Sequence, residues 1–367
     1  MKAVIITCFE SNEERADLIY EVCMKKGFDS IVLTSDFSHV RKCTRTSIPE
    51  RFTAIKTRTY TRNLSARRML SHRCFAKDVF AEMEKYGPDL IWLMAPANSL
   101  IQEAKRYKKK YPKIRLVVDI IDMWPESLPT RIPKDLLPFQ IWKNIRKKSL
   151  SCADLLATEC DLYQEILKNE YSGRMETLYW SRKMDLPVPS VLKAEDEKLT
   201  LCYIGSINNL IDIDLIVSTV SKIGEAVRVH VIGDGEKRDV FVDSLKEVAE
   251  TIYHGPIRDE EKKAEIFAKC HAGINLYKEG LYIGLTVKCI DYFAHGLPII
   301  NNIKGDTWKL TEEYGAGFNI DQNTAVNADE IRSARKRSGE IWALFERFFS
   351  SDAFDVKCRK LIDEVMK

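Results

Sequence analysis

The residues 280–300 read GLYIGLTVKCIDYFAHGLPII, and this segment concentrates groups able to handle a phosphorylated ligand. Gly280 and Gly284 precede a predicted helix that begins near Thr286. Lys288 falls in its first turn, where a cation opposes the positive end of the helix dipole. A phosphate bound at that N-terminus removes the conflict. The alternative is an exposed lysine paired with Asp291 at i+3, which costs little. Asp291 sits one turn later on the same face, placed to accept hydrogen bonds from ribose hydroxyls.

Two other strand ends carry glycines. LCYI (201–204) runs into Gly205, Ser206, Ile207 and Asn208, and VHVI (229–232) into Gly233, Asp234 and Gly235. Glycine there permits close backbone approach to a ligand, or simply supplies a positive φ for a turn. In the first half, DIIDMWPES (119–127) puts Asp119 and Asp122 at a strand end. Either suits a general base beside a sugar hydroxyl, or a turn cap.

The elements that must position these groups alternate. Strands are expected at 4–7, 31–34, 90–94, 116–121 and 155–158, with helices between them. Ser11 to Glu14 has the spacing of a capping box opening the first helix. After a Pro-containing stretch the pattern restarts with strands at 201–204, 229–232, 251–254, 272–276 and 298–300. Alternation of this kind predicts parallel sheets covered by helices on both faces. The expected organisation is α/β: a Rossmann-like domain over 1–182, a linker over 183–198, a second Rossmann-like domain over 199–340, and a helix in 341–367 crossing back to the first. The two domains are expected to face a cleft, with ligands at the carboxyl ends of the strands.

Composition narrows the class. The 367 residues are 45% hydrophobic and 30% charged, as in an ordinary globular chain. No apolar run approaches the ~20 residues that span a bilayer. The start, MKAVIITCFE, suits a buried first strand better than a signal peptide. Ten scattered cysteines without a C-x-x-C pair argue against zinc and thioredoxin-like sites and for a reducing compartment, hence the cytoplasm. Charge is uneven. Residues 1–180 carry 31 Lys and Arg against 23 Asp and Glu, and the rest 26 against 31. Between Arg41 and Lys77 there are 11 basic residues and one acid, Glu50, which points to an anionic partner.

GLTVKCIDYFAHGLPII resembles the donor-binding signature of family-4-type glycosyltransferases of the GT-B fold. CYIGSINNLIDIDLI, HVIGDG and YHGPI resemble the other strand-end signatures of that family's C-terminal domain, in order. YTRNLSARRMLSHRCFAKDVF and DIIDMWPES are similar to bacterial members that build capsule, O-antigen or exopolysaccharide chains. The resemblance implies a hexosyl- or N-acetylhexosaminyltransferase that retains anomeric configuration and requires no metal or other cofactor. The donor would be a nucleotide-diphosphate sugar, UDP-linked rather than GDP-linked, held by Gly205, Ser206, Asn208, Gly233, Asp234, Glu279, Gly284, Leu285, Thr286, Val287 and Asp291. Asp291 matches the second acid of the family's Glu-x7-Glu motif. Ile283 stands where the first is expected, and Glu279 is the nearest acid. The basic residue usual after the first C-domain strand is replaced by Asn208 and Asn209. Asp122, Asp119 and Lys288 would serve catalysis. Arg62, Arg68 and His72 would contact a lipid-linked saccharide acceptor at the inner face of the cytoplasmic membrane, with peripheral attachment.

Three other readings compete. The basic stretch suits nucleic acid, but no helix-turn-helix, zinc-finger or RNP-type segment accompanies it. The departures at Ile283 and Asn208 suit a degenerate, non-catalytic partner subunit. A sugar-nucleotide epimerase shares the two-domain plan.

Overall fold

The computed structural model describes residues 1–128, 132–184, 198–321 and 324–367. Most of the expected linker, 185–197, lies outside the described residues. The chain forms two compact units, Met1–Trp180 with Phe354–Lys367, and Ser181–Ala353.

In the first unit, strands are β1 (Lys2–Ile6), β2 (Asp29–Ser35), β3 (Phe37–Ser38), β4 (Cys43–Thr44), β5 (Phe52–Ile55), β6 (Leu90–Ala95), β7 (Arg115–Ile120), β8 (Leu155–Thr158) and β9 (Met175–Thr177). The helices between them are α1 (Glu13–Lys25), α2 (Ala66–Glu84), α3 (Asn98–Lys110), α4 (Leu137–Lys147) and α5 (Asp161–Leu167). Seven strands make one sheet in the order β5-β2-β1-β6-β7-β8-β9, with every pairing parallel. The order reverses between β1 and β6, so the crevice at a sheet switch point opens beyond their carboxyl ends. LIWLMA of β6 is buried throughout, as a central strand with both faces covered demands.

The second unit repeats the scheme with β10 (Leu199–Ile204), β11 (Val227–Ile232), β12 (Glu250–Gly255), β13 (Ala272–Asn275), β14 (Ile299–Asn301) and β15 (Gly317–Asn319). Its helices are α6 (Ile213–Ser221), α7 (Arg238–Lys246), α8 (Glu260–Phe267), α9 (Val287–Ala294), α10 (Asp306–Tyr314), α11 (Ala328–Arg335) and α12 (Ser338–Phe348). The parallel sheet runs β12-β11-β10-β13-β14-β15, and its switch point lies between β10 and β13. The last helix, α13 (Ser351–Met366), turns Phe354, Cys358, Leu361, Ile362 and Val365 into the apolar core of the first unit.

Some local expectations change. The capping box at Ser11 does not form: residues Glu10–Asn12 make a 3-10 turn and α1 starts at Glu13, with Asn12 at its N-cap. The Glu10 carboxylate accepts from Ser38 Oγ at 2.7 Å and from the His39 amide at 3.0 Å. α2 is capped by Ser65, whose Oγ accepts from the Arg68 amide. The short strand β5 emerges from inside the basic stretch, where FTAI is too brief to show a period.

Candidate donor and acceptor sites

The second unit places Lys288 at its switch point. Lys288 is only 7% exposed. Its Nζ lies 4.2 Å from the Tyr203 ring centroid and 4.6 Å from that of Tyr277. Among the described residues it has no hydrogen-bond partner. The surface pair with Asp291 is therefore not formed. Burial alone pushes the ammonium down to about 7, since a low-dielectric site disfavours charge. The two tyrosine faces attract the cation but offer it no acceptor. The side chain passes the Gly205 turn, where an added Cβ would stand 3.7 Å from Lys288 Cε. The loop after β10 and the first turn of α9 thus converge on one buried cation.

The N-terminus of α9 is held from behind by side-chain amides. Thr286 Oγ1 donates to Asn275 Oδ1 at 2.9 Å, Asn275 Nδ2 to Asn301 Oδ1 at 2.8 Å, and Asn301 Nδ2 to Asn319 Oδ1 at 2.8 Å. This ladder crosses β13, β14 and β15. Because Thr286 is occupied there, no side chain caps α9; the Cys289 amide turns back onto the Thr286 carbonyl at 3.0 Å, and the amides ahead of it in the first turn are available to a ligand. Leu285 is buried beside Thr286, Val287 is exposed, and Gly284 O accepts from both the amide and hydroxyl of Thr307.

Asp291 faces a different set of groups. Arg182 Nε reaches its Oδ1 at 3.0 Å. Burial raises the Asp291 carboxyl, and Arg182 and Lys263 oppose that rise. Glu279 is exposed, away from the buried groups of the turn. The glycines of the β11 loop have a packing explanation: a Cβ at Gly233 would lie 2.0 Å from Gly205 O, and one at Gly235 2.3 Å from Ile207 O. These two loops are stacked backbone on backbone. Asp234 is spent on the Gly235 amide at 2.8 Å and on Arg238, and Asn208 Oδ1 accepts from the Leu210 amide at 2.9 Å. Ser206 accepts the Tyr203 hydroxyl through its carbonyl at 2.8 Å.

In the first unit the two candidate carboxylates separate. Asp119 is fully buried and paired: Arg15 Nε donates to it at 2.8 Å, Arg15 Nη2 at 3.0 Å and Trp92 Nε1 at 3.0 Å. It locks α1 to the sheet, and its full burial keeps it from a substrate. Asp122, past the end of β7, accepts from Ser127 Oγ and sits in a half-buried loop. Burial raises its carboxyl, against hydrogen bonds from Ser127 and Trp124.

Arg68 and His72, one turn apart on α2, both point inward. The Arg68 guanidinium lies 4.3 Å from the Trp124 ring centroid, and Phe9 packs edge-on against His39, His72 and Trp124. Neither His72 ring nitrogen has a partner among the described residues. Burial, reinforced by Arg68, holds that imidazole well below its ordinary range. His39 Nδ1 lies 2.8 Å from the Tyr60 hydroxyl. Arg62 is exposed, outside this cluster. Glu159, just past the end of β8, is a candidate that the sequence pattern does not reveal: it receives Trp180 Nε1 at 2.6 Å. Burial, and then repulsion from Asp122, push its carboxyl up to about 8. Among the described residues, no group of three or more His, Cys, Asp or Glu is placed to hold a metal ion. No described helix is long and apolar enough to cross a membrane.

This is the GT-B architecture, two Rossmann-like domains. Residues 198–332, most of the second unit, match the family model described as Glycosyl transferases group 1. Among solved structures, sucrose-phosphate synthase from Thermosynechococcus elongatus aligns over 100% of this chain and 99% of its own, with TM-score 0.73 and 13% identity. The lipopolysaccharide outer core galactosyltransferase WaaB aligns over 99% of this chain and 100% of its own (TM-score 0.66, 14% identity). Anabaena HepE in complex with UDP and glucose aligns over the same shares (TM-score 0.67, 11% identity). Among curated proteins, no significant sequence match was found. Together the family match and the shared fold support a glycosyltransferase of GT-B type.

Proposed function

We propose that the protein transfers a hexosyl or N-acetylhexosaminyl group from a UDP-sugar to a lipid-linked saccharide acceptor, with retention, in bacterial surface-polysaccharide synthesis of the capsule or O-antigen kind. The observation that carries the reading is the unpartnered Lys288 ammonium, buried beside an uncapped helix N-terminus at the switch point of the second unit. A diphosphate supplies the acceptor oxygens this cation lacks and meets the free amides of α9. As the sugar–phosphate bond breaks, charge grows on the departing diphosphate, and preorganised donors of this kind stabilise it. Asp291 holds the ribose, exchanging part of its Arg182 contact for hydroxyls. HepE, a protein of the same fold, has been crystallised with UDP and with UDP-glucose, which favours uridine here.

On the first unit, Arg68 and His72 contact the acceptor, and Asp122 takes the proton of its attacking hydroxyl. The enzyme works in the cytoplasm at the inner membrane face and needs no metal. Thermal unfolding with UDP, GDP and their sugars tests the donor half. A ligand at ~100 times its dissociation constant adds about 2.7 kcal/mol. A shift with UDP compounds supports the reading. A well-folded protein that responds to none of them sinks it, and favours a degenerate subunit, in keeping with Ile283 in place of the usual acid.

A further inference from the structure

The helix α4 is amphipathic in an unusual sense. Phe139, Trp142 and Arg146 form its buried stripe. On the opposite side Leu137 is 72% exposed and Ile141, one turn on, 53%. By helix geometry Lys148 continues that outer line, with Lys147 beside it, and both are exposed. Leu136 and Leu70 on α2 are also exposed. Next to this stripe a pocket of about 360 Å³ lies among α2, α3 and α4, lined by Leu70, Arg73, Gln102, Arg106, Trp142 and Ile145 among others. Asp135 is the one acid from 132 to 148.

Single exposed aliphatics are ordinary, but here several adjoin a cavity and a set of cations. Lys143 and Arg146 are committed to Glu126 and Glu170, so the cations facing outward include Lys147, Lys148, Arg73 and Arg106, the last with a surface pair to Glu103. Aliphatic side chains flanked by basic ones match a surface with negative charge outside and hydrocarbon just beneath.

We propose that this face of the first unit docks on an anionic phospholipid bilayer. Leu137 and Ile141 enter the acyl boundary, Lys147 and Lys148 lie at headgroup phosphates, and the pocket takes a headgroup between Arg73 and Arg106. The inference deepens the reading of a lipid-linked acceptor and rests on it. It also relocates the membrane contact from the basic stretch 41–77 alone to α4, which the sequence did not single out.

The test is cosedimentation of the full chain with vesicles of phosphatidylcholine, with and without phosphatidylglycerol. Wild type is expected to pellet only with the anionic vesicles, less so in high salt. Leu137→Glu with Ile141→Glu should weaken partitioning at least about tenfold. Val240→Glu, at an exposed aliphatic of the second unit, should not. The double variant should keep the wild-type thermal response to UDP, which shows that it is folded. Wild type that ignores anionic vesicles, or a double variant that pellets equally well, overturns the proposal. So does a wild-type dimer that the double variant splits, because the face would then cover a second copy. Vesicle binding without any UDP response would fail the donor reading alone.

Discussion

Lys288 stands with its Nζ 4.2 Å from the centre of the Tyr203 ring, a charge stored against an aromatic face with no counter-ion. Burial pushes its ammonium down to about 7, so on the proposed reading donor affinity should depend on pH. Only the protonated form attracts a diphosphate, so UDP binding should weaken as pH rises from 7 to 9, by up to about tenfold per unit. Titration calorimetry should show that slope in wild type and a flat, weak response in Lys288→Met.

The same lysine costs the empty protein stability. Its folded pKa lies below the unfolded value of 10.5, so the unfolded chain binds more protons between about pH 7 and 10.5. Stability therefore rises with pH across that window. Lys288→Met should raise the ligand-free Tm most at or below pH 7, and the gain should shrink towards pH 10.

Asp119 and Asp122 should behave as opposites. Breaking the buried pair by Asp119→Asn strands Arg15 and should cost about 3–5 kcal/mol, read by urea unfolding. Asp122→Asn should leave the urea midpoint nearly unchanged and abolish transfer. Near-normal turnover in the second variant would reduce Asp122 to a turn residue.

Much of this was legible in the sequence, for physical reasons. Buried parallel strands such as LIWLMA and LTLCYI are continuous apolar runs, so the alternation of the α/β fold showed directly. Lys288 stood out because a cation in a helix's first turn is a local anomaly. Its cage was hidden, since Tyr203 and Tyr277 come from other strand ends 85 and 11 positions away. Asp119 has the look of a free strand-end acid, and only the fold brings Arg15, 104 positions earlier, onto it. The glycines of the β11 loop were ambiguous because a ligand and a neighbouring backbone impose the same demand. Glu159 carried no signal at all: one acid after LLAT has no pattern, and its chemistry comes from burial and Asp122.

Glu159 gives a second pH signature. Its folded pKa of about 8 exceeds the usual 4.5, so its contribution to stability is full below about pH 4.5 and is lost as pH rises towards 8. Glu159→Gln keeps the shape without the charge. The Tm difference, variant minus wild type, should therefore increase from pH 5 to pH 8.

Gly233 admits no side chain. Its φ of 141° disfavours any L side chain, and a Cβ there would stand 2.0 Å from the Gly205 carbonyl oxygen. Gly233→Ala should destabilise by roughly 3 kcal/mol or more and weaken UDP binding as the Gly205 turn is displaced. Calorimetric unfolding and UDP titration of the same sample would check both.

The amide ladder from Asn319 to Thr286 runs from a half-buried edge into the buried centre of the sheet. Asn319 lies on an edge strand, yet through Asn301 and Asn275 it sets where the first turn of α9 begins. Each inner amide of the row both donates to one neighbour and accepts from the other, so its orientation is fixed by the pair together. On the donor reading proposed above, the edge of this sheet is therefore tied to the first turn of α9 through side-chain amides alone, so a change at Asn319 would be felt at the helix N-terminus without altering a residue of that turn.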